Sequence, residues 1–158
     1  LLNQKKCGCK KILFREHDMK TGRIITEDND VKAILQNCKT VAVVGLSPKT
    51  DRDSYRVAEY MKHHGYTVIP IRPAQQEILG EKAYPSLDDV KIPVDIVNVF
   101  RKSDQIMPHA QEALRLKPKV FWMQLGIENQ EAAKCLTESG IDVIMNQCIM
   151  VEHERLCS

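Results

Sequence analysis

Val41-Ala42-Val43-Val44 is an unbroken apolar run that stops at Gly45, and the segment after it carries apolar residues at helical spacing. A strand that is apolar at every position has both faces covered, as in a parallel sheet held between two layers of helices. The unit recurs along the chain. Tyr66 to Ile71, Val94 to Phe100, Val120 to Gln124 and Ile141 to Met145 read as four more strands. Between the first two, Ser54 to His64 sets Val57, Ala58 and Met61 on one helical face and ends at Gly65. A polar stretch containing Gly80 and Pro85 leads to Ser86, which is placed to cap one short turn of helix. Ser103 opens another helical segment, with Pro108 near its first regular turn. Asn129 caps a helix that ends at Gly140, and a terminal helix runs to about Leu156. Ahead of the first strand, Asp30 is positioned to cap a short helix carrying Val31, Ile34, Leu35 and Cys38.

Strands alternating with helices predict a Rossmann-like, doubly wound α/β sheet of about five parallel strands in a single domain. Residues 1–28 show no steady period and read as an N-terminal arm, partly disordered, before a domain spanning 29–158. Open sheets of this kind bind ligands at the carboxyl ends of their strands, where the strand order reverses. The loops after Gly45, Ile71, Phe100, Gln124 and Met145 therefore share one rim.

Charge and hydropathy exclude several classes of function. The net charge is only +2, with no basic face beyond the first residues, so nucleic acid is not an expected partner. No apolar run approaches the roughly 20 residues of a membrane span. The opening Leu1-Leu2-Asn3-Gln4-Lys5-Lys6 lacks the apolar core of a secretory signal. With the α/β pattern, this predicts a cytoplasmic protein whose six cysteines stay mostly free.

The first loop, Gly45-Leu46-Ser47-Pro48-Lys49-Thr50, has the first glycine of a dinucleotide fingerprint but not the G-x-G-x-x-G spacing. The second strand ends Ile71-Arg72-Pro73, with a cation where an NAD site wants a carboxylate for the ribose hydroxyls. A cation there suits a ribose phosphate, which both NADP and coenzyme A carry. Ser47 and Ser54 supply hydroxyls to the loop, and Arg52 supplies a bidentate phosphate donor. The helix that follows aims free N–H groups and a positive dipole end at the same space. A solvated turn with a serine cap fits these residues equally well.

The residues also carry a resemblance. Val41-Ala42-Val43-Val44-Gly45-Leu46-Ser47, Arg52-Asp53-Ser54-Tyr55 and Val68-Ile69-Pro70-Ile71-Arg72-Pro73 appear in order. Ile78-Leu79-Gly80-Glu81, Tyr84-Pro85-Ser86-Leu87 and Val94-Asp95-Ile96-Val97-Asn98-Val99-Phe100-Arg101 follow. Trp122-Met123-Gln124-Leu125-Gly126, Asn146-Gln147-Cys148 and Glu152-His153 complete the series. From about Thr40 to Leu156 the chain resembles the small stand-alone CoA-binding domain proteins, which are related to the CoA-binding domain of succinyl-CoA synthetase α-subunits. The resemblance implies coenzyme A or an acyl-CoA as ligand. Gly45, Leu46, Ser47, Arg52, Asp53 and Ser54 would hold the ADP phosphates. Arg72 and Pro73 would border the adenosine and its 3′-phosphate, and Phe100 and Arg101 would flank the nucleotide. Gln124, Leu125 and Gly126 would line the pantetheine path, with Cys148 on the same rim. The family usually has Asn at the position of Arg72, often Asp-Arg at Asn146-Gln147, and often Lys at Met150.

Other candidates carry less. Cys7-Gly8-Cys9, with His17 the nearest further ligand, falls short of the four donors a metal usually takes, so no metal site is expected. His63 and His64 suit the surface near a helix end, and Asp88-Asp89 suits a polar turn. Asp95, inside a strand, is expected to be satisfied by neighbouring loops, and Glu152-His153 reads equally as an acid/base pair or as packing of the terminal segment. Phe121 and Trp122 alternate on a strand, so one of the two is expected in the core. No nucleophile, base and orienter stand together. The reading therefore favours a carrier, sensor or regulatory protein with an unidentified protein partner over an enzyme. An NADP-binding oxidoreductase comes second, and a thiol-redox protein in which Cys148 meets the CoA thiol comes third.

Overall fold

Every residue of Val41–Val44, Val68–Ile71 and Ile96–Val99 is buried, as is every residue of Val120–Met123, so these runs do lie between two helical layers. In the computed structural model, which describes residues 21–158, they belong to a five-stranded parallel sheet. Its strands are β1 (Thr40–Val44), β2 (Thr67–Ile71), β5 (Ile96–Val99), β6 (Val120–Met123) and β7 (Asp142–Ile144), in the order β2-β1-β5-β6-β7. On one face lie α1 (Asp28–Asn37), α2 (Asp53–His63) and α5 (Ile149–Cys157), packed through Val31, Leu35, Val57, Met61 and Ile149. On the other lie α3 (Ile106–Leu116) and α4 (Gln130–Glu138), packed through Ile106, Ala110, Ala113, Ala133 and Leu136. This is the Rossmann-like α/β domain that the alternation predicts.

Phe121 and Trp122 are both fully buried, not one of the two, because each faces a different helical layer. Asn129 caps α4 as expected, its side chain accepting from Ala132 N–H. Asp30 does not cap α1. The helix starts three residues earlier, with Glu27 at the N-cap and Asp30 in the first turn. The stretch between β2 and Ser86 holds structure that the polar composition concealed. Glu77–Ile78 (β3) and Glu81–Lys82 (β4) form a small antiparallel hairpin.

Both borders of the sheet have neighbours. Tyr84 bridges to Ile71 at the carboxyl half of β2, exchanging hydrogen bonds with Pro70 and Arg72. Pro70 has no N–H to donate, which is tolerated because β2 is an edge strand. Ile24 bridges to Val143 of β7, with Ile25 N–H donating to Val143 and Val143 N–H to Arg23. Arg23–Ile25, within the stretch read as an arm, thus run beside the sheet. The Cys7-Gly8-Cys9 reading lies outside the described residues.

Candidate functional site

From β1 the chain moves outward to β2, then crosses back to β5 on the other side of β1. The order reverses between β1 and β5, and their carboxyl ends form the crevice where such sheets take ligands. Gly45 and Phe100 are the first residues past these two strands. Gly45 has φ +80°, and a Cβ there would stand 2.7 Å from the Phe100 carbonyl oxygen and 3.1 Å from Arg101 Cδ. Only glycine brings the two backbones this close at that φ.

The loop that leaves Gly45 is held by its own side chains. Leu46 is fully buried and anchors it. Ser54, buried in the first turn of α2, accepts from Ser47 N–H at 3.0 Å, and Ser47 Oγ accepts from Lys49 N–H at 3.1 Å. The two hydroxyls predicted to meet a phosphate are therefore partly committed to shaping the loop, each as an acceptor whose proton is still available to donate. Arg52 and Asp53 are exposed at the start of α2. Asp53 takes an ion pair from Arg56 at 3.3 Å, and no side-chain bond of Arg52 competes with a ligand.

Arg72 and Pro73 follow β2, with Arg72 half-buried and its N–H donating to Tyr84 at 2.8 Å. Among the described residues, the side chains of Lys49, Arg52, Arg72 and Arg101 have neither an ion pair nor a hydrogen bond. Elsewhere arginines are consumed. Arg115 forks onto Asp88 with two bonds of 2.8 Å, and Arg155 spans Asp28 and Glu152.

Gln124, buried at the end of β6, accepts from Ile149 N–H at 2.9 Å and so caps α5 from across the rim. Trp122 Nε1 donates to the Gln147 carbonyl at 2.8 Å, and Asn146 Oδ1 accepts from Gly126 N–H at 2.7 Å. Asn146 is left-handed (φ +59°), a conformation that Asn and Asp adopt most readily. An Asp there would offer the same oxygen to Gly126 N–H. Leu125 is 69% exposed, an apolar side chain presented to whatever occupies the rim. Cys148 is half-buried at the N-cap of α5.

Asn98 escaped the sequence reading. It lies on the central strand β5, in register with Val43 and Trp122, fully buried, and neither end of its carboxamide has a hydrogen-bond partner. The signal was present as one polar residue within Ile96-Val97-Asn98-Val99.

The remaining candidates have structural roles. Asp95, just ahead of β5, accepts from the N–H groups of Lys39 and Thr40 and pairs with Lys119 at 3.4 Å. Burial works to raise its pKa, but these donors outweigh it and hold the carboxyl below its ordinary value. Asp88 is likewise lowered by the Arg115 hydrogen bonds. Both line a cleft of about 680 Å³ at the amino ends of the strands, on the side of the sheet opposite the rim, and their charges are already neutralised there. His63 and His64 are exposed. The described residues contain no cluster of three or more His, Cys, Asp or Glu suited to a metal, and no helix long and apolar enough to cross a membrane.

Residues 39–154 match the family model of the CoA binding domain. The chain belongs to that family. The uncharacterized protein YneT of Bacillus subtilis (strain 168) is 48% identical over 124 residues, which cover 78% of this chain and 92% of YneT. A hypothetical protein from Pyrococcus horikoshii OT3 superposes with a TM-score of 0.82 at 39% identity, covering 89% of this chain and all of that one. A Thermus thermophilus protein gives 0.79 at 42% identity, covering 83% and 99%. The CoA-binding domain of this chain therefore has relatives that consist of little else.

Proposed function

We propose that this protein binds coenzyme A or an acyl-CoA along the carboxyl rim and serves as a carrier, sensor or regulator with no catalysis of its own. The observation that carries the reading is the set of four uncommitted cations, Lys49, Arg52, Arg72 and Arg101, on the segments that follow the carboxyl ends of β1, β2 and β5. Unpaired cations beside oriented N–H groups suit a ligand with several phosphate charges. The diphosphate would lie over the Gly45–Ser54 loop, the 3′-phosphate near Arg72, and the pantetheine arm past Gln124, Leu125 and Gly126. NADP is the competitor on charge alone, and the absent G-x-G-x-x-G spacing disfavours it. The relatives' matched lengths support a domain that acts without attached ligase modules.

A thermal-shift comparison decides the ligand. A ligand that binds only the folded state raises the melting temperature by mass action. Coenzyme A is expected to raise it more than NAD or NADP at equal concentration, and a larger shift with NADP would overturn the assignment.

A further inference from the structure

We infer that Asn98 reads the amide portion of the pantetheine arm, an inference that rests on the coenzyme A reading above. Five polar side chains are buried in the described structure: Ser47, Ser54, Asn98, Gln124 and His153. All but His153 belong to the carboxyl end of the sheet, the loop that leaves β1 or the first turn of the helix that follows it. The first two serines bond within the loop, and Gln124 bonds to α5. Asn98 alone has both its oxygen and its NH2 group without a partner.

A buried amide without partners is costly, because the water it gave up is not replaced. An apolar residue of similar size at position 98 would match its neighbours and remove that cost. The position therefore favours a group that makes good the bonds when it binds. A free carboxamide offers one acceptor and a two-hydrogen donor. A secondary amide offers the complementary N–H and C=O, and the pantetheine arm contains two of them.

The location fits. Register puts Asn98 on the same face as Val43 and Trp122, and one ladder step beneath Gly45, Phe100 and Gln124. Trp122 Nε1 is already engaged by Gln147, so it does not serve Asn98. Phe100 and Cys148 are partly buried against the core on this face and come from the rim itself. To reach Asn98, an arm entering between the Gly45 loop and Gln124 would have to displace side chains packed on this face, such as Phe100 and Cys148. The nucleotide half would stay outside, on the cations.

The test titrates wild type, Asn98→Leu and Asn98→Val with coenzyme A and with adenosine 3′,5′-diphosphate, which lacks the arm. Both variants are expected to bind the nucleotide as wild type does and to lose about tenfold in coenzyme A affinity, the worth of one or two neutral hydrogen bonds. Asn98→Leu without ligand is also expected to melt above wild type. Unchanged coenzyme A affinity in both variants, or equal losses for the two probes, would overturn the inference and leave the ligand reading standing. A wild-type protein that binds neither probe removes both.

Discussion

The Tyr60 hydroxyl lies 2.8 Å from His153 Nδ1, tying the last turn of α2 to the middle of α5. His64 stacks on Tyr60 with ring centroids 3.9 Å apart, and the His153 ring stands edge-on to Tyr60, His64 and Tyr66. Burial, then the neighbouring His64 and Lys39, depress the pKa of His153, against a smaller opposing effect of Glu154.

This arrangement predicts a pH dependence. The unfolded chain takes up a proton on His153 near pH 6.5, and the folded chain does so only at lower pH. Between the two values the unfolded state holds more protons, so stability is lost as the pH falls. The contribution is complete above about pH 6.5 and declines below it until the folded group also titrates. His153→Gln keeps an acceptor for Tyr60 and removes the titration. Its melting temperature should fall less than that of wild type between about pH 7 and pH 5. Parallel curves would assign the loss to other groups.

At Gly45 both φ and space are constrained. Gly45→Ala should cost about 2 kcal/mol or more in urea unfolding, through strain at positive φ and the clash with the Phe100 carbonyl. The same variant should lose the thermal shift given by coenzyme A, since any relief of the clash opens the crevice. Wild-type stability would show that the two loops separate easily.

Arg72 supplies a comparison within one ligand. Arg72→Ala should weaken coenzyme A by about 1.5–3 kcal/mol, the worth of a charge-assisted hydrogen bond, and dephospho-CoA much less. Calorimetry with the two ligands separates them. Equal losses would remove Arg72 from the 3′-phosphate.

The thiol reading makes its own prediction. Cys38 and Cys135 are buried, while Cys148 is half-buried on the rim. Under brief exposure to CoA disulfide, the Cys148 thiolate should attack one sulfur, form protein–CoA disulfide and release one CoA thiolate. Peptide mapping should find the adduct at Cys148 in preference to the other five cysteines, and lose it in Cys148→Ser. Adducts confined to Cys7, Cys9 or Cys157 would mean that the ligand does not direct the reaction.

The sheet was legible in sequence because strands buried on both faces cannot hide among polar residues. Val41–Val44 and Val120–Met123 are apolar throughout. The β3–β4 hairpin was not legible, because strands of two residues show no alternation. Its turn is Leu79-Gly80, both at positive φ (57° and 73°). That is the backbone of a type I′ turn, and Leu in the place usually taken by Asn, Asp or Gly masks it. Asn98 was overlooked for the opposite reason. Pattern reading absorbed it into a strand, and only the absence of partners around it makes it conspicuous. The ring cluster at His153 joins residues 93 positions apart, a separation that spacing along the chain does not report.

The neighbours at the two sheet borders have a consequence for behaviour in a crowded solution. An exposed strand edge is a template on which other chains polymerise. Here the Arg23–Ile25 segment occupies one border and Tyr84 the other, so Val143, Pro70 and Arg72 have already spent the backbone groups that a foreign strand would need. Fibril growth by strand addition finds no free ladder at those positions.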